Sequence, residues 1–200
     1  MAAKRKSSGR SRKESPDAND LLTLELQEIH SAESQLSRVL PRLSKSVESE
    51  QLRQMLDSRL TEGERLIEEI EAAFEEMEES PGRKKNVAAE GLLNDAREHV
   101  QEIAPGAALD TVLIGAMQKT EHYCIAAWGT ARALAQAVGH KSAVRAMDRA
   151  LKEGGAFDER LTKLAEKEVT PALLAMGEEE EESEASPRSG KSGLQNRASA

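Results

Sequence analysis

The sequence has few of the residues that build disulfides, sheets and membrane spans. A single cysteine, Cys124, cannot form an internal disulfide, and only four of the 200 residues are aromatic. No apolar run reaches the length of a secretory signal or of a membrane-spanning helix. These absences exclude a disulfide-stabilised secreted domain and predict a soluble cytoplasmic protein without a membrane partner.

The residues that are abundant predict an all-α protein. Ala, Leu, Glu, Lys and Arg dominate, and these are strong helix formers. Segments containing Gly or Pro indicate loops at 80–86, 104–108 and 138–142. The intervals between them predict four long helices in an antiparallel bundle, the last from about Ser142 to Met176. A short helix from about Val87 to Glu102 should cross from the second helix to the third, and Pro41 should kink or break the first.

The two ends differ from the middle in composition. Residues 1–17 hold six basic residues against two acidic ones, with almost nothing apolar. From Glu178 a run of glutamates is followed by Ser, Gly and Pro. Neither end can bury enough apolar surface to fold. The sequence therefore predicts a helical domain over 18–177 between two disordered tails, a basic one at 1–17 and an acidic, Ser/Gly-rich one at 178–200.

Two of the predicted helices carry a glutamate in the row that should face the core. In residues 117–136, MQKTEHYCIAAWGTARALAQ, every third or fourth residue belongs to an apolar stripe whose second member is a carboxylate. The stripe consists of Met117, Glu121, Cys124, Trp128, Ala131 and Ala135. The first helix has a similar row: Leu22, Leu26, Ile29, Glu33, Leu36, Leu40, Leu43 and Val47. Glu33 and Glu121 are therefore expected inside the bundle.

The other two long helices place charged residues at or near the core. In the second helix, Arg59 and Glu62 stand one turn apart in an otherwise apolar row. In the fourth, the inward row has Gly154 at the corresponding place, with Glu153 and Asp158 to either side. We expect Glu62 inside the bundle and the other two carboxylates at its edge.

Buried carboxylates need compensation, because each must lose its hydration or take up a proton. In four-helix bundles the known solution is a pair of iron or manganese ions held by inward Glu residues and Glu-x-x-His pairs. This sequence offers an alternative in Arg59, whose fixed positive charge could neutralise inward carboxylates. On the residues alone, a metal site and a salt-bridge network are both open.

Five segments together carry the pattern of a known family. In order they read SAESQLSRVLPRLSKSV, RLTEGERLIEEIEAAFEEM, AAEGLL, LIGAMQKTEHYCIAAWGTARALAQAVG and LKEGGAFDERLTKLAE. They resemble the successive helices of the YciE/YciF family of ferritin-like bacterial proteins, over most of residues 20–168. The resemblance implies a ferritin-like four-helix bundle with an extra short helix, often dimeric and linked to stress responses. It also implies a dinuclear iron or manganese site, ferroxidase-like if intact, whose family positions here are Glu33, Glu62, Glu121, Glu153 and Asp158.

The chain departs from the family pattern where metal would matter. The family usually reads His-Leu-x-Glu-Thr where this chain runs from Arg59 to Gly63. It commonly has Glu at the position of Cys124 and favours Glu-Glu where this chain has Glu153 and Gly154. A histidine and two carboxylates are therefore missing.

Three functions remain open on the sequence. In the first, the chain is a ferritin-like oxidase or peroxide-handling enzyme that uses iron or manganese. In the second, which the departures favour, it is a non-catalytic structural or interaction bundle with no cofactor and an unidentified protein partner. In the third, the basic arm KRKSSGRSRK binds nucleic acid through phosphates, although the net charge of −8 disfavours that partner.

Overall fold

The computed structural model describes residues 15–185, with side chains over 15–177. Within that range all regular structure is helical, as predicted. The helices are α1 (Ala18–Ser46), α2 (Glu50–Glu76), α3 (Val87–Glu102), α4 (Ala107–Val138), α5 (Lys141–Leu164) and α6 (Thr170–Ala185), with a π-helical turn at Ala165–Val169 between the last two. Residues 1–14 and 186–200, which make up most of the two predicted tails, lie outside the described residues.

Side-chain caps fix the starts of α1, α2 and α3. Asp17 caps α1 by accepting hydrogen bonds from the backbone N–H groups of Asn19 and Asp20, and the Asp20 side chain accepts from the Asp17 N–H in return. Ser49 and Asn86 cap α2 and α3 in the same manner with a single bond each. These caps satisfy backbone donors that the first turn of a helix leaves without partners.

The four long helices form the predicted bundle. Helix α1 packs against α2 and α4, and α5 packs against the same two helices on the opposite side of the bundle from α1. The connection between α1 and α2 is short, and so is the one between α4 and α5, which makes the helices of each pair antiparallel. Helix α3 crosses from the end of α2 to the start of α4 and lies against α1 and α4. All members of the two inward rows predicted for α1 and α4 are buried.

Two features differ from the sequence prediction. Pro41 lies inside α1 without ending it, so the break expected as one alternative does not occur. The last helix, predicted as one element to Met176, is interrupted by the π turn, at whose end Val169 is only 4% exposed. A π turn inserts a residue and rotates the helix face. None of the described helices has the combination of length and apolar content that crossing a bilayer requires.

A buried arginine and carboxylate cluster

Arg59 lies at the centre of the bundle and joins three helices. From α2 its guanidinium donates two hydrogen bonds to Glu33 of α1, Nη1 to Oε2 at 3.1 Å and Nη2 to Oε1 at 3.0 Å. Its Nε donates to Oε2 of Glu121 on α4 at 2.9 Å. The three residues are 2%, 1% and 0% exposed respectively. Paired bonds of this kind use the planar fork of arginine and fix the two carboxylates in one orientation.

The cluster contains one positive group and two carboxyl groups. Burial opposes the charge of Arg59, but Glu33 and Glu121 outweigh burial and hold the pKa of the guanidinium well above its usual value. Burial also raises the pKa of Glu121, and Arg59 offsets only part of that effect. Arg59 is therefore a permanent internal cation, whereas Glu121 binds a proton more readily than an ordinary glutamate does.

Two further residues of α4 complete the surroundings of the guanidinium. The Trp128 ring lies over it, with 5.5 Å between Arg59 Cζ and the ring centroid, which is a cation–π contact. Cys124 is 2% exposed, and burial followed by the nearby Glu33 raises the pKa of its thiol well above the ordinary value. Cys124 is therefore a neutral thiol and a small core residue, not a reactive thiolate.

Two glycines make the space that the cluster occupies. A Cβ on Gly63 would lie 2.8 Å from Glu33 Oε2 and 2.9 Å from Arg59 Nη1. A Cβ on Gly154 would lie 2.5 Å from both Glu121 Oε1 and Trp128 Cζ3. Carbon atoms do not approach at these distances, so any larger residue at either position would displace the cluster.

The other carboxylates predicted at the site are held elsewhere. Glu62 is only partly buried and accepts a hydrogen bond from the hydroxyl of Ser58. Arg59 bonds to Glu33 and Glu121, and not to Glu62. Glu153 pairs with Arg65 at the edge of the bundle. Asp158 accepts a hydrogen bond from Gln118, and its other neighbour, His122, is 67% exposed.

These positions do not fit a dinuclear metal centre. Both oxygens of Glu33 and one oxygen of Glu121 already bond to a guanidinium, and that fixed positive charge repels a divalent cation from the same space. Among residues 15–177, no three or more His, Cys, Asp or Glu side chains form a group that could hold a metal ion. The assignment of the five carboxylates as ligands stays a prediction from resemblance.

Sequence reasoning missed the contributions of Trp128 and Gly63. Trp128 lies two turns after Glu121 on the same stripe, a spacing that places both side chains on one face of α4. Gly63 lies one turn after Arg59, at the inward place that the apolar row assigned to Glu62. Glycine adds no apolar signal to a row, so only its spacing could have indicated this position.

The chain matches the family described as a domain of unknown function, DUF892, over residues 17–174. The chain belongs to this family. Protein YciF of Escherichia coli strain K12 is 38% identical over 141 residues, which cover 70% of this chain and 85% of that protein. Membership therefore includes α1 to α5 and every residue of the cluster.

Solved structures agree with this DUF892 assignment. The crystal structure of the E. coli stress protein YciF matches with a TM-score of 0.74 at 35% identity, covering 78% of this chain and 99% of that one. YcfI from Rhodopseudomonas palustris matches with a TM-score of 0.70 at 32% identity, covering 75% and 96%. A two-domain protein from Anabaena variabilis with DJ-1/ThiJ/PfpI-like and ferritin-like domains matches at 0.50 and 13% identity, covering 98% of this chain and 49% of that one. The last likeness concerns the fold alone, which is ferritin-like.

Proposed function

We propose that this chain is a YciF-type, ferritin-like bundle that acts without metal, as a structural or interaction protein. The observation that carries the proposal is the position of Arg59, whose guanidinium bonds to Glu33 and Glu121 in the place where related bundles would need a cation. A connection to stress responses is proposed by analogy with YciF, which is described as a stress protein.

The departures from the family pattern support the proposal because they are neighbours in space. Arg59 supplies the charge, and Gly63 and Gly154 supply room for the guanidinium, Glu121 and Trp128. Cys124, which replaces a carboxylate of the pattern, lies next to the same guanidinium. All four departures contribute to one arrangement of side chains around Arg59. A core repacked around this arginine explains them better than the independent loss of metal ligands does.

The competing function is a ferroxidase-like or peroxide-handling enzyme with a dinuclear iron or manganese site. Elemental analysis separates the two functions on protein purified without chelator, then exposed to Fe(II) or Mn(II) and freed of unbound ion. We expect no stoichiometric metal in either sample. About two ions per chain, lost in Glu121→Ala, would overturn the proposal and establish the oxidase.

A set of substitutions toward the family pattern provides the positive control. The variant Arg59→His, Gly63→Thr, Cys124→Glu and Gly154→Glu replaces the internal cation by a ligand and adds two carboxylates. We expect this variant, and not Arg59→His alone, to retain iron or manganese under the same conditions. Circular dichroism before and after loading ensures that the comparison is made on folded protein.

Three finer expectations accompany this proposal: a cytoplasmic location, a homodimer, and no dependence on nucleic acid. Light scattering coupled to gel filtration measures the dimer directly. Nucleic-acid binding through the basic arm would appear as salt-sensitive retention on DNA that is lost when residues 1–17 are deleted. Retention on DNA that persists after this deletion would show that the basic arm is not the part that binds DNA.

A further inference from the structure

A small cavity lies beside the cluster, between α2, α4 and α5. Arg59, Glu121, Trp128 and Gly154 form its inner wall. Its outer wall contains the two ion pairs that join α2 to α5, Arg65 with Glu153 and Arg149 with Glu69. The free space is about that of one water molecule.

The buried polar atoms without hydrogen-bond partners all belong to this cavity. Among residues 15–177 there are five such side-chain atoms: Glu62 Oε2, Arg65 Nε, Glu69 Oε2, Glu121 Oε1 and Trp128 Nε1. Each of the five residues lines the cavity. Buried polar groups in folded proteins are almost always paired, so a concentration of unpaired groups around one space indicates a shared partner in that space.

The chemistry of the unpaired atoms selects the class of partner. Two of them are N–H donors, on Trp128 and Arg65, and a metal ion or ammonium cannot accept from either. Three are carboxylate oxygens, which repel an anion. A neutral molecule that both donates and accepts satisfies both kinds, and only water has that chemistry within this volume.

We propose that the cavity is a binding site for one water molecule, which accepts from Trp128 Nε1 and donates to Glu121 Oε1. Glu121 and Trp128 are 0% and 2% exposed, so no bulk solvent reaches these two atoms directly. The water solvates the one oxygen of Glu121 that Arg59 does not reach.

The single tryptophan makes this site directly measurable. In protein labelled with ¹⁵N, the indole N–H of Trp128 gives the sole tryptophan side-chain signal. We expect a cross-peak from this proton to the water resonance with opposite signs in laboratory-frame and rotating-frame experiments, as a long-lived bound water gives. The cross-peak should persist in Gly155→Ala, whose added Cβ meets open space, and disappear in Gly154→Ala, whose Cβ approaches Glu121 Oε1 and the Trp128 ring.

The wild-type protein alone can refute the proposal. Absence of the cross-peak, with the indole N–H still protected from exchange, would mean that Trp128 bonds to a protein group instead. A crystal structure provides a second measurement if Gly154→Ala does not fold. Density at about 2.7–3.1 Å from both atoms supports water, whereas an anomalous scatterer at about 2.0–2.2 Å from the carboxylates would overturn it.

Discussion

At the residue scale, Arg59 has two effects that metal ions would have in a related bundle. It neutralises inward carboxylates and fixes α1, α2 and α4 relative to one another through three hydrogen bonds. A buried ion pair is weak evidence for stability, because desolvation of the ions offsets much of their attraction. We expect its main effect to be on specificity, since a bundle that packs in another register leaves these charges without partners.

Replacement of Arg59 by methionine tests this role. The substitution keeps a long side chain but leaves Glu33 and Glu121 buried without a cation, so we expect a loss of about 3–5 kcal/mol in the free energy of unfolding. Arg65→Met is the matched control, because it removes a partly exposed ion pair on the same helix and should cost about 1 kcal/mol or less. Urea denaturation followed by circular dichroism measures both. Equal losses in the two variants would show that the burial of Arg59 is unimportant.

A triple variant separates stability from specificity. Arg59→Met combined with Glu33→Leu and Glu121→Leu removes all three charges together, and a well-packed apolar replacement of a buried ion cluster is often neutral or stabilising. We therefore expect the triple variant to recover most of the stability lost in Arg59→Met. The dispersion of its NMR spectrum reports whether the bundle still has one arrangement. A triple variant that is no more stable than Arg59→Met would mean that shape, not charge, holds this site.

The raised pKa of Glu121 predicts a pH dependence of stability. The folded state holds this proton more tightly than the unfolded chain, whose glutamate titrates near 4.5. The resulting stabilisation is complete below pH 4.5 and is lost as the pH rises through the folded-state pKa. Wild-type protein should therefore lose stability relative to Glu121→Gln as the pH rises from 4.5. Denaturation titrations from pH 4 to 8 measure this difference, each unit of pKa shift corresponding to about 1.4 kcal/mol.

Glu159 is the control for the sign of that effect. Lys163 lowers the pKa of this exposed carboxyl through a hydrogen bond, so its stabilisation is present above its unfolded pKa and is lost as the pH falls. Wild-type protein should therefore gain stability relative to Glu159→Gln as the pH rises, which is the opposite of its trend relative to Glu121→Gln. The same direction in both variants would contradict the assignment of the trend to Glu121.

At the scale of helices, the spacing of apolar residues predicted most of the buried positions. It gave the wrong residue where contacts between helices determine which side chain fits. The inward rows of α1 and α4 were correct because a repeat of three and four is sufficient to define one face. In α2 the inward place after Arg59 belongs to Gly63, a step of four residues, and not to Glu62. The choice depends on neighbouring helices, which need a residue with no side chain beside Glu33. The π turn was equally hidden, because no residue pattern signals it.

Neighbouring glycines of α5 test this packing requirement within one turn. Gly154 is buried against Glu121 and Trp128, whereas a Cβ at Gly155 meets nothing within 4 Å. Gly155→Ala should stabilise the protein by about 0.5–1 kcal/mol, because alanine lowers the entropy cost of forming a helix. Gly154→Ala should instead destabilise it by about 1–3 kcal/mol through overpacking. Thermal melts of the two variants give the comparison, and stabilisation by both would mean that the cluster has room to move.

At the scale of the molecule, the composition of the chain predicts the bounds of the folded domain, and these bounds stay a prediction. The charge of the two ends suggested a domain over 18–177, and the described helices run from Ala18 to Ala185. Asp17, the last residue of the predicted basic tail, caps α1. At the other end, α6 continues to Ala185, beyond the predicted boundary, although most of its residues up to Gly177 are exposed. The assignment of residues 178–200 to a tail outside the folded domain stays a prediction.

Truncated chains decide the boundary at both ends. A chain of residues 17–177 should melt at the temperature of the full protein, because it retains the capping box and the buried Val169. A chain of residues 18–177 loses the Asp17 cap, which should cost about 1 kcal/mol and about 2–4 °C in Tm. Asp17→Ala in the full chain is the matched variant, since it removes the side-chain cap without moving the terminal amine next to the helix. If 17–177 itself melts well below the full chain, residues 1–16 or 178–200 make stabilising contacts, and the domain is larger than its apolar pattern indicates.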